Sequence, residues 1–377
     1  MEFSGIKFLV VGSGFVGSTI AERIANKKKE KVIVLEKRNH FGGNSYSEFD
    51  SETGIEFHKY GSHIFHTHHE NVWDYINKFC SFNSYHHKVL ARHKGKTYIM
   101  PINLSTINSF YDIDIKPTEA ETFLKNEIAK ENIKTPKNLE EKAISLIGRP
   151  LYETFIKGYT MKQWETDPKD LPASIISRLP VRYSYDFSYF DDPWQGIPLE
   201  GYGNIFKKML DSNNIELKLN TDFFDLIDQI PKNCKIIYTG PIDKFFNYEF
   251  GVLGWRTLRF DKEILPINDF QGTTVMNYVE SEKPMMRIHE FKHFHKERTY
   301  KKGKTLIFTE YSKTATQTDD PYYPINTQAN KEILKKYEAE AEKLNNIIFA
   351  GRLGTYKYFD MDDAIFHALN VFNNKIK

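Results

Sequence analysis

The chain opens on a short apolar run, Ile6-Lys7-Phe8-Leu9-Val10-Val11, which suits a buried parallel strand. Gly12-Ser13-Gly14-Phe15-Val16-Gly17 follows, and over 18–26 the apolar residues fall at helical spacing. Lys31-Val32-Ile33-Val34-Leu35-Glu36 then completes a βαβ unit of about 30 residues. Residues 40–100 are rich in turns and histidines. From Pro117 to Tyr159 the pattern is helical: Phe123, Leu124 and Ile128, then Leu139, Ala143, Leu146 and Ile147, recur at spacings near three and four. Gly148-Arg149-Pro150 punctuates it, and 165–174 reads as an exposed loop with two prolines. Between 252 and 311 the period changes to that of strands, over 273–279, 286–294 and 305–311. The tail returns to α/β, with an amphipathic helix over 331–344, a strand over 346–351 and a last helix over 361–373 that Asp360 is placed to N-cap.

These patterns predict a mixed α/β protein: a Rossmann-like FAD-binding domain with an inserted helical domain and an inserted antiparallel β-sheet domain. The last strand and helix need a sheet to join, so the nucleotide-binding domain is expected to be discontinuous (1–80, 200–250 and 335–377). The helical insertion takes 104–178. The β-sheet substrate domain takes 81–103, 179–199 and 251–334. A length of 377 residues fits two or three domains. With 52 basic against 50 acidic residues, the net charge of +2 gives no electrostatic ground for nucleic-acid binding. Two cysteines exclude a disulfide scaffold and a four-thiolate metal site. No apolar run approaches a membrane span, and the start shows no cleavable signal, so a cytoplasmic location is expected. The unusual quantity is aromatic content, 29 Phe and 22 Tyr against 4 Trp.

The glycine motif has its structural context: strand before, helix after, and Glu36 closing the second strand 19 residues past Gly17. Gly12 is expected to make the tight turn, Gly14 to admit a pyrophosphate and Gly17 to let helix pack on strand, with the helix N-terminus attracting phosphate. Glu36 is expected to accept from a ribose hydroxyl and to repel a 2′-phosphate. A second glycine turn, Gly42-Gly43-Asn44, comes close behind it, as in flavoproteins, and Phe349-Ala350-Gly351-Arg352 before a capped helix fits the flavin end. No second G-x-G-x-x-G occurs, so no separate NAD site is expected.

Nine of the 13 histidines lie between His40 and His93. Alternation over 58–66 predicts a strand face carrying several, with His63, beside glycine, near a flavin. His289, His293 and His295 read as a polar strand face. No HExxH occurs and Glu70 adjoins His69 instead of sharing its face, so no metal is expected. G-x-S-x-G, Walker A and C-x-x-C motifs are missing, which leaves the hard chemistry to an organic cofactor. Arginines set among aromatics (Trp164, Arg178, Arg182, Tyr183, Tyr185, Tyr189, Phe190 and Trp194, then Arg287, Tyr322 and Tyr323) predict a nucleotide-diphosphate pocket.

Over nearly its whole length the sequence resembles the bacterial UDP-galactopyranose mutases. The resemblance rests on Glu36-Lys37-Arg38-Asn39-His40, Gly42-Gly43-Asn44, His58-Lys59-Tyr60-Gly61 through His63-Ile64-Phe65-His66-Thr67, Lys157-Gly158-Tyr159-Thr160, Lys162-Gln163-Trp164, and Arg178 to Arg182. It continues through Ile237-Tyr238-Thr239-Gly240-Pro241, Pro321-Tyr322-Tyr323-Pro324, Gly351-Arg352-Leu353 and Tyr356-Lys357-Tyr358-Phe359-Asp360-Met361. The resemblance implies interconversion of UDP-galactopyranose and UDP-galactofuranose, a non-redox ring contraction with N5 of reduced FAD as covalent nucleophile. By the same resemblance, His63, Arg178, Arg287, Tyr358 and Asp360 are the catalytic set. Gly12, Gly14, Phe15, Val16, Gly17, Glu36, Lys37, Arg38, Gly43, Asn44, Tyr60, Gly61, Arg352, Asp360 and Met361 hold FAD. His87, Phe155, Ile156, Tyr159, Trp164, Tyr189, Tyr322, Tyr323 and Tyr358 join the two arginines around the substrate, and 164–176 is a mobile lid. A homodimer and an unidentified flavin reductant are implied too. Ser62, His87 and Phe359 depart from the family pattern, and acceptance of a 2-acetamido sugar stays open. The alternatives are an FAD-dependent amine or sugar oxidase, which has no reason to carry the Arg178/Arg287 pair, and a non-catalytic nucleotide-binding module.

Overall fold

The computed structural model describes residue 3 and residues 5–176 and 179–377. Five parallel strands form the sheet that the two α/β ends share. Phe8–Val11 lies at its centre between Val32–Leu35 and Lys235–Tyr238, and Ile215–Lys218 and Ile347–Phe349 form the edges. The pleat sends alternate side chains to opposite faces. Val10, Val34 and Ile237 meet the helices Phe15–Arg23 and Met361–Val371. Leu9, Ile33, Leu35 and Ile236 meet Phe223 and Tyr238 on the other side. The first helix begins at Phe15, earlier than its apolar spacing indicated, because Gly14 takes the N-cap position.

A second sheet orders its seven strands as Tyr323–Pro324, Trp255–Leu265, Thr305–Thr314, Arg287–Glu290, Val275–Tyr278, Val89–His93 and Lys96–Met100. It was expected to be antiparallel, but Val275–Tyr278 runs parallel to Val89–His93, with Met276 opposite Leu90. Those strands come from distant parts of the chain, so no hairpin fixes their direction. The strand expected over 286–294 stops at Glu290. Phe291–Phe294 is a 3-10 turn whose i,i+3 spacing buries both phenylalanines, each 1% exposed.

The helical part contains Leu104–Tyr111, Pro117–Ala129 and Leu139–Ile147, and then a run from Arg149 to Trp164 with a π-helical stretch at Tyr152–Lys157. Asn103 and Asn138 cap two of these, accepting from the backbone N–H of Thr106 (3.1 Å) and Glu141 (2.9 Å). The segment expected as an exposed loop is instead two short 3-10 turns, Pro168–Asp170 and Ala173–Ile176. Leu171 is buried and its carbonyl accepts from the Leu139 N–H. Glu165 pairs at 2.7 Å with the buried Arg256. Arg178, placed by the sequence in the catalytic and substrate sets, lies outside the described residues. Among the described residues no helix is long and apolar enough to cross a membrane.

Glu56 lies on a separate two-stranded hairpin, Ser47–Phe49 with Glu56–His58, and ties it to the segment that follows Phe291–Phe294. It is 2% exposed and sits 2.6 Å from Ser47 Oγ, 2.7 Å from Arg298 and 3.2 Å from His295. Burial alone would raise its pKa; the hydrogen bond from His295, the nearby charge of His58 and the bonds from Ser47 and Arg298 outweigh that and hold it at about 2. A depressed carboxyl contributes stability that is complete above its unfolded value and lost as pH falls through the folded one. Thermal melts are therefore expected to show a loss between about pH 4.5 and 2, of order 3 kcal/mol from this group at ~1.4 kcal/mol per pH unit. Glu56→Gln should lower Tm at neutral pH and flatten that acid limb; an unchanged limb would remove Glu56 as its source.

Candidate active site

At the carboxyl ends of the central strands lies a cleft of about 1770 Å³, open mouth included. Its floor is made of the two glycine turns. Gly12 has φ +96°, and a Cβ there would run into Thr239 Oγ1, which itself donates to the Val11 carbonyl. The second turn approaches the first so closely that a Cβ on Gly43 would sit 3.1 Å from the Gly14 Cα. Gly14 caps the helix Phe15–Arg23 without a side-chain bond, and Phe15, Val16 and Gly17 line the cleft, so the orphan N–H groups of a first helical turn stand at its wall.

Glu36 also lines the cleft, but much of its carboxylate serves the protein. Oε2 accepts from the N–H (3.0 Å) and Oγ (2.8 Å) of Ser13, and Oε1 accepts from the Arg38 N–H (3.0 Å). It braces the glycine turn and keeps acceptor capacity on Oε1 alone. Lys37, Arg38, Gly43 and Asn44 line the cleft. Arg38 is held by Asn44 (3.0 Å) and Asp320 (2.9 Å) over the ring of Tyr60. Tyr60 and Gly61 stand behind the wall: Tyr60 bonds His40 (2.7 Å), and the Gly61 carbonyl holds His63 Nδ1 (2.6 Å).

At the other end are His63, Arg352, Asp360 and Met361. Burial, helped by the charges of Arg352 and His289, pulls the His63 imidazole down to about 4. It is neutral at pH 7, with its proton on Nδ1 toward the Gly61 carbonyl and a lone pair on Nε2. Asp360 occupies the N-cap position of the last helix but does not cap it through its side chain; its carboxylate accepts from Tyr358 Oη at 2.8 Å. The Arg352 guanidinium lies 4.7 Å from the Tyr358 ring centroid and donates to the carbonyls of Tyr322 and Phe359. Tyr323 stacks on Tyr358 (5.8 Å, 28°).

Arg287 sits beyond that end. It donates to Tyr159 Oη and lies 3.2 Å from Glu310. Burial works against its charge, and Glu310, with smaller contributions from Tyr159, Tyr323 and Tyr189, more than restores it. Glu310 in turn accepts from His289 Nε2 (2.7 Å), and His289 Nδ1 meets Ser62 Oγ at 2.6 Å. His289 is 1% exposed and its pKa is lowered, first by burial, so the polar-strand-face reading is replaced by a buried relay. Strand register puts Arg287 opposite Glu310, and the two-residue period puts His289 on the face of Arg287. The signal in the sequence was that alternation and one acid inside the apolar run Thr305–Thr314. His87, 5% exposed, bonds Tyr85 (3.0 Å) and packs edge-on against Tyr189 (5.3 Å); burial, then Arg287, lowers it to about 3.

Other expected residues are not gathered here. Phe155 is 3% exposed and packs with Tyr98 and Phe110, and Ile156 joins the same core, which leaves little of the Phe155 ring for a base. Trp164 ends its helix, half-buried. Arg182 is taken by Asp186 and Asp191. The expected histidine face does not form, because the chain turns at Gly61 (φ +92°) between Glu56–His58 and Phe65–Thr67. His58 goes to the core, His63 to the cleft and His66 to Asp192 (2.6 Å).

Fold and cleft define a dinucleotide-binding enzyme on the architecture shared by flavoprotein oxidases and mutases. A family model described as UDP-galactopyranose mutase matches residues 154–358, and one for an NAD(P)-binding Rossmann-like domain matches 10–79. The chain is 41% identical to a probable UDP-galactopyranose mutase from Klebsiella pneumoniae (96% of this chain, 92% of that one). It is 40% identical to a dTDP-fucopyranose mutase from Escherichia coli (98% of both) and 33% to the UDP-galactopyranose mutase of Mycoplasma genitalium (97% and 93%). Among solved structures it superposes on a reduced UDP-galactopyranose mutase with a TM-score of 0.71 at 16% identity, covering 99% and 96% of the chains. A putrescine oxidase gives 0.54 at 9%, covering 98% and 99%. The chain belongs to the UDP-galactopyranose mutase family and is an isomerase.

The relay carries a prediction. His289→Leu removes a donor from a buried carboxylate, which costs about 1–3 kcal/mol, and is expected to lower Tm; His289→Gln, whose amide reaches Glu310, should recover most of it. Equal melts for both variants would show that the Nε2–Glu310 bond contributes nothing.

Proposed function

We propose that the chain is a UDP-galactopyranose mutase that interconverts UDP-galactopyranose and UDP-galactofuranose without net redox change, with FAD in its reduced form. The observation that carries this reading is Arg287, half-buried, fixed by Glu310 and ringed by tyrosines, beyond the cleft end that holds His63, Arg352 and Asp360. The donor set suits FAD: uncapped N–H groups and close-packed glycines for the pyrophosphate, Glu36 Oε1 for a ribose, and neutral His63 at the flavin end. The chemistry such a cofactor supplies when bound is nucleophilic, through N5 toward the anomeric carbon.

The chain's own residues bind and orient. Arg287, with Arg178 on the strength of the family resemblance, compensates the diphosphate as it leaves. Tyr159, its hydroxyl pKa raised first by burial, offers a neutral donor, and Tyr189, Tyr322, Tyr323 and Tyr358 add others around phosphate and sugar. Trp164 flanks the base and sugar. His63 presents Nε2 as an acceptor, and the Tyr358–Asp360 bond fixes both groups beside it. The same reading makes the protein a cytoplasmic homodimer that feeds cell-wall and polysaccharide synthesis and takes electrons from a separate reductant. A second reading, dTDP-fucopyranose as substrate, is favoured by the 40% identity to the Escherichia coli enzyme of that name.

The test is turnover of UDP-galactofuranose and of dTDP-fucofuranose, each with and without dithionite, with products resolved by chromatography. Turnover of the uridine sugar only after reduction is expected. Equal turnover in oxidised and reduced samples, or none in either, would refute the mechanism, and a higher kcat/KM for the thymidine sugar would favour the second reading. Arg287→Ala leaves a diphosphate charge unpaired, at a cost of about 2–5 kcal/mol, or roughly 30- to several-thousand-fold in kcat/KM. Wild-type kcat/KM in this variant would place Arg287 away from phosphate.

A further inference from the structure

We propose that His68, His69 and Asp362 form a binding site for a divalent transition-metal ion of the zinc class, behind the wall of the cleft. His68 and His69 follow the strand Phe65–Thr67, and Asp362 lies in the first turn of the helix Met361–Val371. One ligand atom from each lies within 4.8 Å of the others. Two imidazoles and one carboxylate are a donor set suited to zinc, with a further position left to solvent on the side of the exposed His68.

The carboxylate gives this cluster its force. Asp362 is 5% exposed, and among the described residues no hydrogen bond or ion pair reaches its side chain. A cation between it and the imidazoles would give that carboxylate a partner of opposite charge. Asp360 and Asp363 add two more carboxylates at the same helix start, with no lysine or arginine paired to any of the three among the described residues. The rings are already aimed. His69 stacks face to face on Phe366 (4.2 Å, 5°), which lies one turn beyond Asp362 on the same helix face. Asp192, 3.4 Å from Nδ1 of His68, supplies the carboxylate that commonly stands behind a histidine ligand.

A second cluster, Asp269, Glu290 and His293, lacks these features. The Lys292 ammonium lies 3.8 and 3.9 Å from its carboxylates, and Glu290 already accepts from Phe270, Gln271 and Thr305. At the first site a bound ion would tie the strand end to the helix whose start carries Asp360 and Met361 into the cleft wall.

The experiment is equilibrium dialysis of tag-free, chelator-treated full-length protein against zinc, with metal per chain by atomic emission and a parallel melting curve. One zinc ion per chain and a higher Tm are expected. His69→Ala and Asp362→Asn should each weaken binding by at least about tenfold, whereas His86→Ala, an exposed histidine elsewhere, should not. His68→Ala, at an exposed side chain, should show the same loss with unchanged circular dichroism. No retained zinc at about 100 µM free metal, or binding undiminished in the His68 and His69 variants, overturns the proposal. Neither result bears on isomerase turnover.

Discussion

A guanidinium drawn partly out of water needs a fixed counter-charge, and much of this molecule is arranged so that Arg287 has one in Glu310. The pair forms only because two strands meet in one register, with Arg287 directly opposite Glu310. Glu310 keeps its charge against burial because Arg287 lies beside it and, next, because His289 donates to it; Ser62 completes the sequence of bonds from the turn that carries His63. Removing Arg287 would leave the buried Glu310 carboxylate without its counter-charge. The second sheet, the Gly61 turn and the far end of the cleft are therefore set by one electrostatic requirement.

The surroundings of that pair are mostly kept neutral. Burial lowers His63 to about 4 and His87 and His58 to about 3, and raises the hydroxyl pKa of Tyr159 and Tyr323. Positive charge at this end then comes from arginines, while rings and hydroxyls supply shape and hydrogen bonds. That is how an aromatic-rich chain with a net charge of only +2 can concentrate directed positive charge in one place.

What was legible in the sequence was local. The glycine turn, its helix and Glu36 are encoded within one βαβ unit, where spacing alone reveals the geometry. Arg287 stood out as an arginine set among aromatics, while its catalytic role and those of Tyr358 and Asp360 came through family resemblance. The relay was not legible, because Ser62 and His289 are 227 positions apart and only the turn at Gly61 and the sheet register bring them together. Phe155 also came through family resemblance; the π-helical stretch Tyr152–Lys157 on which it lies places it in the core with Tyr98. Periodicity also took Phe291 and Phe294 for strand, since an aromatic run looks the same whether its rings alternate or lie one tight turn apart.

The central sheet takes its strands from the beginning, the middle and the far end of the chain: 8–11 and 32–35, then 215–218 and 235–238, then 347–349. During synthesis the glycine turn and its helix emerge early, but Lys235–Tyr238, which flanks Phe8–Val11, and the residues Arg352, Asp360 and Met361 that finish the cleft come much later. The first βαβ unit must therefore wait, with one side of its central strand uncovered, while both insertions are made. The cleft can be completed only after the last helix has left the ribosome, so a ligand that needs both of its ends can bind the finished chain and not the nascent one.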